Sequence, residues 1–309
     1  MPKRSGRVFI VKRCGRLANR IIFYANIIAW AKDQNLHVTN FTFQSYAHLF
    51  QSTRNTSSSR YPHVVQKFYH KFISPILLIS NIFRFQFQSL YLFTKIALKF
   101  TVIQRLFPII SDKDHAGIKS LSELITEDFW KKKKLLFVSG WRFREPKLTR
   151  KHASEIRKFF KPVKRIEKNI DLQFSSIEFR FDLLIGVHIR KGDYANWKGG
   201  RYNFPVSYYA QIMKEVEELY NNLQVVYLVC SNEEVTTSQF HDLSVKVSGG
   251  DPIEDLYALA RCDLIIGPPS TFTQWASFYG QKPLYHIYNT NEKITENSFQ
   301  ISDIDDIPG

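Results

Sequence analysis

Five short apolar runs in the second half of the chain alternate with segments whose pattern favours helices. The apolar runs, which predict buried strands, are 183–189, 225–230, 244–247, 263–267 and 284–287. The segments that predict helices are 207–221, 254–261 and 270–279, with a weaker one after residue 232. This alternation predicts a parallel sheet covered by helices on both faces. The acidic, polar tail 290–309 predicts a late helix or a loose end.

The first half begins with the same kind of unit. A strand over 7–11 runs into a turn that contains Gly15, and the apolar stretch 21–31 predicts a largely buried helix. Helices are also predicted over 121–130 and 151–172, with a strand over 135–139. The turn lacks GxGxxG and a P-loop lysine, so it favours neither a dinucleotide site nor a P-loop. The helix start can bind an anion through free N–H groups, although a plain strand–helix unit is commoner.

Residues 34–111 contain no Asp or Glu, but they carry eight Lys and Arg residues. The uncharged runs 72–83 and 85–94 are both shorter than the roughly 20 apolar residues of a spanning helix, so no transmembrane segment is predicted. We favour cationic amphipathic helices at an anionic membrane surface over an insertion that packs its apolar faces on the domain. Nucleic acid is disfavoured because the cations are interleaved with aliphatic residues and no nucleic-acid motif is present.

Charge divides the chain into two parts. Residues 1–165 hold 32 Lys and Arg against 8 Asp and Glu, a net charge of +24, whereas residues 166–309 hold 11 against 20, a net charge of −9. Hydrophobic and charged contents of 44% and 23% are typical of globular proteins. We therefore predict an N-terminal domain over 1–165, with a basic, aromatic-rich helical insertion over about 40–110, and a C-terminal domain over 166–309.

The three cysteines, Cys14, Cys230 and Cys262, have neither disulfide-framework nor zinc-site spacing. Residues 1–30 lack the unbroken apolar core and cleavage site of a signal peptide. These features predict a reducing, cytoplasmic location, with peripheral contact at the membrane surface.

Polar side chains follow three of the predicted strands in the second half. The pairs are Arg190 with Asp193, Ser231 with Asn232, and Ser270 with Thr271. The carboxyl ends of parallel strands meet at one edge of a sheet, where ligands bind. A guanidinium beside a glycine, and a helix that begins at a Ser-Thr pair, suit a phosphate. Each pair also has a plainer interpretation as a salt bridge or a helix cap, and their concurrence favours a nucleotide site.

The segment His188-Ile-Arg190-Lys-Gly192-Asp193-Tyr194 resembles the His-x-Arg-Arg-Gly-Asp-Tyr motif of the α-1,2-fucosyltransferases (glycosyltransferase family 11). It is also similar to the arginine motif of the α-1,6- and protein O-fucosyltransferases. Four further resemblances follow the family's order: Gly15-Arg-Leu-Ala-Asn19-Arg, Pro205-Val-Ser-Tyr208-Tyr209, Val226-Tyr-Leu-Val-Cys-Ser-Asn232, and the segment from Asp255 to Asp263 with Ser270-Thr-Phe-Thr-Gln-Trp275. Residues 40–110 lie outside the resemblance.

The resemblance implies a GT-B-like fold of two Rossmann-type α/β domains, with GDP-fucose or a related GDP-sugar bound mainly by the C-terminal one. It implies inversion, no metal or other cofactor, and transfer to a glycan or lipid-linked glycan. Arg190 would stabilise charge on departing GDP, and Asp193 is the candidate general base. The implied donor-binding residues are Gly15, Asn19, His188, Lys191, Ser231, Asn232, Asp255, Ser270 and Thr271.

The sequence departs from the family pattern at several of these positions. Lys191 replaces the second arginine, Ala18 and Arg20 replace Gly and Gln, and Ser231-Asn232 replaces an Asp pair. These changes bear on the identity of the sugar and acceptor more than on GDP-sugar chemistry.

Two other interpretations stay open from the sequence. Asp112-Lys-Asp114 and Asp303-Ile-Asp305 match the Asp-x-Asp motif of metal-dependent GT-A glycosyltransferases, although this tripeptide is common by chance. The basic first half also fits an inactive glycosyltransferase scaffold that serves as a membrane adaptor.

Overall fold

The computed structural model describes residues 6–55, 59–62, 108–112, 117, 119–178, 180–290 and 293–304. The chain forms two compact units. The first comprises residues 1–16 and 23–161, and the second comprises residues 17–22 and 162–309. The division after Lys161 lies close to the boundary predicted at residue 165.

The first unit contains a five-stranded sheet. Its strands are β1 (Arg7–Ile10), β2 (His37–Asn40), β3 (Ser59–Tyr61), β4 (Ile109–Ser111) and β5 (Leu135–Ser139). Their order is β3-β2-β1-β5-β4, and only the pairing of β2 with β3 is antiparallel among these described strands. The predicted strands at 7–11 and 135–139 are confirmed as β1 and β5. Sequence reasoning missed β2, β3 and β4, whose three or four residues are too few for a periodic signal.

Helix α1 (Leu17–Gln34) is apolar around most of its circumference because its central turns are buried. Its residues from Ile21 to Ala31 are almost wholly inaccessible, which confirms the buried helix predicted there. It ends at Asn35, whose φ of 53° is the left-handed conformation that stops a helix.

The other helices among the described residues of the first unit are short. They are a 3-10 helix (Phe41–Leu49), α2 (Leu121–Leu124), α3 (Glu127–Lys132), α4 (Pro146–Lys151) and α5 (Ala153–Phe159). The helical stretch predicted over 151–172 is broken, since the chain leaves helical geometry at His152 and again after Phe159, before the next helix begins at Lys164.

The second unit contains a six-stranded sheet that is parallel except at one edge. Its strands are β6 (Leu183–Ile189), β7 (Val225–Ser231), β8 (Val245–Val247), β9 (Leu264–Gly267), β10 (Pro283–His286) and β11 (Gln300–Ile301). The order is β11-β10-β9-β6-β7-β8, with β11 antiparallel. All five predicted strands are confirmed. In the described part of the tail, where the sequence suggested a helix or a loose end, a 3-10 turn at Glu296–Ser298 precedes β11.

Helices α6 (Lys164–Ser175), α7 (Val206–Leu219), α8 (Pro252–Leu259) and α9 (Thr271–Gly280) complete the second unit, together with short 3-10 turns. The weak helix predicted after Asn232 was wrong, because that segment contains only a 3-10 turn at Thr237–Gln239. Strands β6, β7 and β9 are buried on both faces, as their continuous apolar sequences require.

Close backbone contact joins α8 and α9. A Cβ atom at Gly280, the last residue of α9, would lie 1.9 Å from the carbonyl oxygen of Ala260 just after α8. Glycine at position 280 therefore allows the close approach of these two helices.

The predicted membrane-surface helices fall largely on residues 63–107, outside the described part of the chain. Among the described residues, no helix is both long enough and apolar enough to span a membrane.

Candidate active site

The strand order of the second sheet identifies one edge as the place for a ligand. Chain order runs from β6 outward to β8 on one side, then returns to β9 and β10 on the other side of β6. In parallel sheets of this kind, ligands bind at the carboxyl ends of the two strands where the order reverses. Arg190 directly follows β6 and Ser270 follows β9, so both lie at this switch point.

Arg190 is held by its own turn. Its Nη2 donates to Asp193 Oδ1 at 2.6 Å, and its guanidinium carbon lies 5.4 Å from the centroid of the Tyr194 ring. The arginine side chain is only 17% exposed, whereas that of Asp193 is 49% exposed. The salt bridge expected from the sequence therefore exists, and it is open to solvent on the carboxylate side.

Tyr194 connects this turn to the next strand end. Its hydroxyl donates to the carbonyl of Pro269 at 2.8 Å, directly before the start of α9. The turn after β6 and the start of α9 are thus tied together by a buried hydrogen bond.

Lys191 and Asn232 form hydrogen bonds with each other. The backbone N–H of Lys191 donates to Asn232 Oδ1 at 2.8 Å, and Asn232 Nδ2 donates back to the carbonyl of Lys191 at 3.4 Å. The ammonium group of Lys191 donates to the carbonyl of Phe204 at 2.9 Å. Ser231 turns away from this pair and accepts a hydrogen bond from the backbone N–H of Glu233.

His188 is a buried imidazole whose ring nitrogens make no hydrogen bond of normal geometry among the described residues. It is 4% exposed, and neither ring nitrogen has a hydrogen-bond partner among the described residues. Its ring stacks on Phe272 of α9, with 4.6 Å between centroids. Burial, followed by the charge of Arg190, lowers the pKa of His188 to about 3 against the smaller opposing effect of the nearby Cys230 backbone, so the ring is neutral near pH 7. Buried polar atoms are nearly always satisfied, so these nitrogens call for a ligand or water.

The N-terminus of α9 presents backbone donors to the same edge. Ser270 is the N-cap, and its Oγ accepts from the N–H of Thr273 at 3.1 Å. The neighbouring hydroxyl of Thr271 donates to Asn19 Oδ1 at 2.7 Å. Asn19 lies in the six residues of α1 that belong to the second unit, whereas Gly15, with φ of +50°, belongs to the first.

Sequence reasoning missed two residues behind the α9 terminus. Thr273 Oγ1 lies 2.9 Å from His286 Nε2 at the end of β10. Burial lowers the pKa of His286 to about 4, so this ring is also neutral near pH 7. Thr273 sits inside a predicted helix and His286 inside a predicted strand, and neither position carried a sequence signal for a site.

Asp255 lies at the carboxyl ends of β7 and β8, one strand away from the switch point. It is 8% exposed and accepts a hydrogen bond from the hydroxyl of Ser248, which also accepts from the N–H of Gly250 at 3.1 Å. Burial raises the pKa of Asp255 to about 6. Such a carboxyl group can accept or donate hydrogen bonds near neutral pH.

The two Asp-x-Asp matches do not form a described metal cluster. In the first unit, Asp112 accepts from the N–H of Trp141 at 2.9 Å and lies 3.7 Å from the ammonium of Lys12. The second aspartates of the tripeptides, Asp114 and Asp305, lie outside the described part of the chain. Within that part, no three His, Cys, Asp or Glu side chains are grouped as metal ligands would be.

Comparison with known proteins gives a family match over part of the chain and a fold for most of it. Residues 151–302 match the family model described as Glycosyl transferase family 11. A search of curated protein sequences found no significant match.

Three solved structures are similar along most of the chain. A mutant of Arabidopsis thaliana FUT1 in complex with GDP has a TM-score of 0.55 at 13% identity, covering 96% of this chain and 74% of that one. POFUT1 in complex with GDP-fucose has a TM-score of 0.54 at 12% identity, covering 96% and 98%. The fucosyltransferase NodZ from Bradyrhizobium has a TM-score of 0.54 at 15% identity, covering 93% and 97%.

At these identities the structural likeness shows the fold. Two α/β units, each with a sheet that is mainly parallel, give the GT-B-like architecture predicted from the sequence. The fold is therefore not of the GT-A type. Residues 151–302 thus match glycosyltransferase family 11, and the chain shares the fold of these fucosyltransferase structures.

Proposed function

We propose that this enzyme transfers a sugar, fucose in the first instance, from a GDP-sugar to a glycan hydroxyl, with inversion and without a metal, in the manner of α-1,2-fucosyltransferases. One observation carries the proposal. A neutral, buried His188 with two unpartnered nitrogens stands beside Arg190 at the switch point, stacked on the first turn of α9. Polar atoms buried in this way are explained by a ligand that completes their hydrogen bonds.

The donor diphosphate fits the charges at this edge. Arg190 supplies a guanidinium that is already partly desolvated, and α9 supplies backbone N–H groups with the positive end of its dipole. The hydroxyl proton of Thr271 is committed to Asn19, so Thr271 would contribute its backbone N–H to the phosphate and its hydroxyl only as an acceptor.

Asp255 is proposed to contact the guanine or ribose. Its carboxyl group is buried at the ends of β7 and β8, on the side of the sheet that the nucleoside would occupy beyond the phosphates. With a pKa near 6 it is mostly charged at neutral pH and accepts hydrogen bonds from N–H or O–H donors.

Transfer with inversion requires one bond to form as another breaks. The acceptor hydroxyl oxygen attacks the anomeric carbon from the face opposite GDP, the bond from that carbon to the phosphate oxygen breaks, and GDP leaves with the electron pair. Arg190 stabilises the charge that develops on the departing phosphate. When phosphate becomes the partner of Arg190, Asp193 is released from its 2.6 Å salt bridge and can take the hydroxyl proton.

The structural neighbours support the identity of the donor. Two of them were solved with GDP-fucose, namely POFUT1 and the α-1,6-fucosyltransferase NodZ, and the Arabidopsis thaliana FUT1 mutant was solved with GDP. The strongly basic first half, with its net charge of +24, fits an anionic or membrane-proximal lipid-linked glycan as the acceptor.

A nucleotide screen by thermal shift tests the donor assignment. We expect GDP to raise the melting temperature, with little effect from UDP, ADP or magnesium, and GDP-fucose turnover to survive EDTA. The adaptor interpretation predicts no turnover at all, so it is the alternative outcome of the same assay. Absence of a GDP shift would contradict the proposed donor, and loss of turnover in EDTA would contradict metal independence.

A further inference from the structure

We propose that Asn232 is a positioning residue for Arg190, acting through the backbone of Lys191, and that Lys191 braces the following loop and does not contact the donor. This inference rests on the proposed function, since it assumes that Arg190 meets the donor phosphate. Three observations carry it: the end of the β6–β7 pairing, the bonds made by Lys191, and the geometry at Gly192.

The pairing of β6 with β7 stops one residue before Arg190. The last paired residues are Ile189 and Ser231. Beyond them, the Asn232 side chain replaces a backbone partner, because its amide accepts from the N–H of Lys191 at 2.8 Å and donates to the carbonyl of Lys191 at 3.4 Å. Arg190 is therefore fixed on both sides, by the sheet before it and by the asparagine amide after it.

The ammonium group of Lys191 is used to close a loop. It donates at 2.9 Å to the carbonyl of Phe204, thirteen residues along the chain. Aromatic rings pack on one another within the enclosed loop. The ring centroids of Tyr194 and Trp197 lie 4.7 Å apart, and those of Trp197 and Tyr202 lie 5.5 Å apart. A cation held by a backbone carbonyl in this way supports the loop that carries Asp193 and Tyr194.

Gly192 leaves room for the asparagine amide. Its φ of +64° lies in the left-handed region, and a Cβ atom there would come within 3.3 Å of Asn232 Nδ2. A side chain at residue 192 would thus be strained and would press on the amide that holds Lys191. The Arg190–Asp193 pair belongs to this same turn, so the position of the guanidinium depends on how firmly the turn is held.

A double-mutant cycle between Asn232→Ala and Arg190→Ala tests the inference. The measurements are GDP release from GDP-fucose and the affinity for GDP, made well below the melting temperature of each variant. We expect Asn232→Ala to lower turnover roughly 10- to 100-fold in the wild-type background, as misplacement of a catalytic group does. In the Arg190→Ala background the same change should alter turnover by less than about twofold.

Asn222→Ala is the matched control, since Asn222 is an exposed asparagine in the turn that precedes the same strand. It should leave turnover unchanged. Asn232→Asp keeps the acceptor for the Lys191 N–H but loses the donor to its carbonyl, and we expect it to restore part of the lost turnover. Should Asn232→Ala fail to fold, Gly192→Ala disturbs the same amide from the other side, and its effect should likewise vanish without Arg190.

The outcomes separate the two claims. If Asn232→Ala lowers turnover by the same factor in both backgrounds, or leaves turnover unchanged, the positioning role is wrong while the donor site stands. If Arg190→Ala alone changes neither GDP affinity nor turnover, the donor site is wrong and the positioning role falls with it.

Discussion

Replacing His188 with phenylalanine should stabilise the unliganded protein and weaken donor binding at the same time. The phenyl ring keeps the stacking on Phe272, which lies 4.6 Å away, and removes two buried nitrogens that have no described partner. Leaving a polar group buried and unsatisfied costs about 1–3 kcal/mol, so His188→Phe should gain part of that free energy of unfolding. GDP, in the proposed site, should bind the variant more weakly because the nitrogens that meet the ligand are gone.

The effect on stability should depend on pH with a definite sign. The pKa of His188 is about 3 in the folded protein, against about 6.5 for an unfolded histidine. The unfolded state therefore binds the extra proton, and the stability present above pH 6.5 is lost as the pH falls toward 3. Between pH 7 and pH 5, the wild type should lose about 2 kcal/mol through this residue, whereas His188→Phe should not.

Denaturant unfolding at pH 7 and at pH 5 measures this difference, with His241→Phe as the matched control because His241 is exposed. The stability gap between His188→Phe and the wild type should widen by about 2 kcal/mol at the lower pH. A gap that stays constant would refute the buried, neutral imidazole. A variant that binds GDP as tightly as the wild type would refute its contact with the donor.

Three further changes test other parts of the structure. Asp255→Asn should stabilise the protein by roughly 1–3 kcal/mol at pH 8 and lose that advantage by pH 4, because burial raises the pKa of Asp255 to about 6. Denaturant unfolding curves measured between pH 4 and pH 8 test this prediction. Gly280→Ala should lower the free energy of unfolding by about 1–3 kcal/mol, as its Cβ would meet the carbonyl of Ala260, whereas equal stability would show that α8 and α9 can separate at no cost. Lys191→Met should leave the salt dependence of GDP binding as in the wild type, and a reduced salt slope in titrations would place its charge on the phosphate instead.

The long apolar strands of the second unit allowed its fold to be predicted from the sequence. Strands β6, β7 and β9 are buried on both faces, so their residues form unbroken apolar runs that stand out from the helices between them. The order of these elements then brings Arg190 and Ser270 to one edge, which the sequence predicted from the same alternation. In the first unit β2 and β4 are short, and their pairing with β1 and β5 depends on contacts that no local pattern records.

Specific hydrogen bonds in the site were beyond sequence reasoning. The bond from Thr271 to Asn19 joins residues 252 positions apart, and the bond from Lys191 to Phe204 crosses an irregular loop. Residue type predicted the charge of Lys191 but not the direction of its ammonium group, which contacts the carbonyl of Phe204. The same limit hid His286, whose neutral ring contacts α9 from the next strand.

The affinity of GDP for the wild type and for Arg190→Ala, measured by titration calorimetry at one fixed salt concentration, tests the central claim most directly. The guanidinium is 17% exposed at the switch point and should contribute a charge-assisted hydrogen bond to the phosphate. We predict about 10- to 100-fold weaker binding in Arg190→Ala, with its melting temperature showing a folded protein. Equal affinity in the two proteins would contradict a donor-phosphate site at the end of β6.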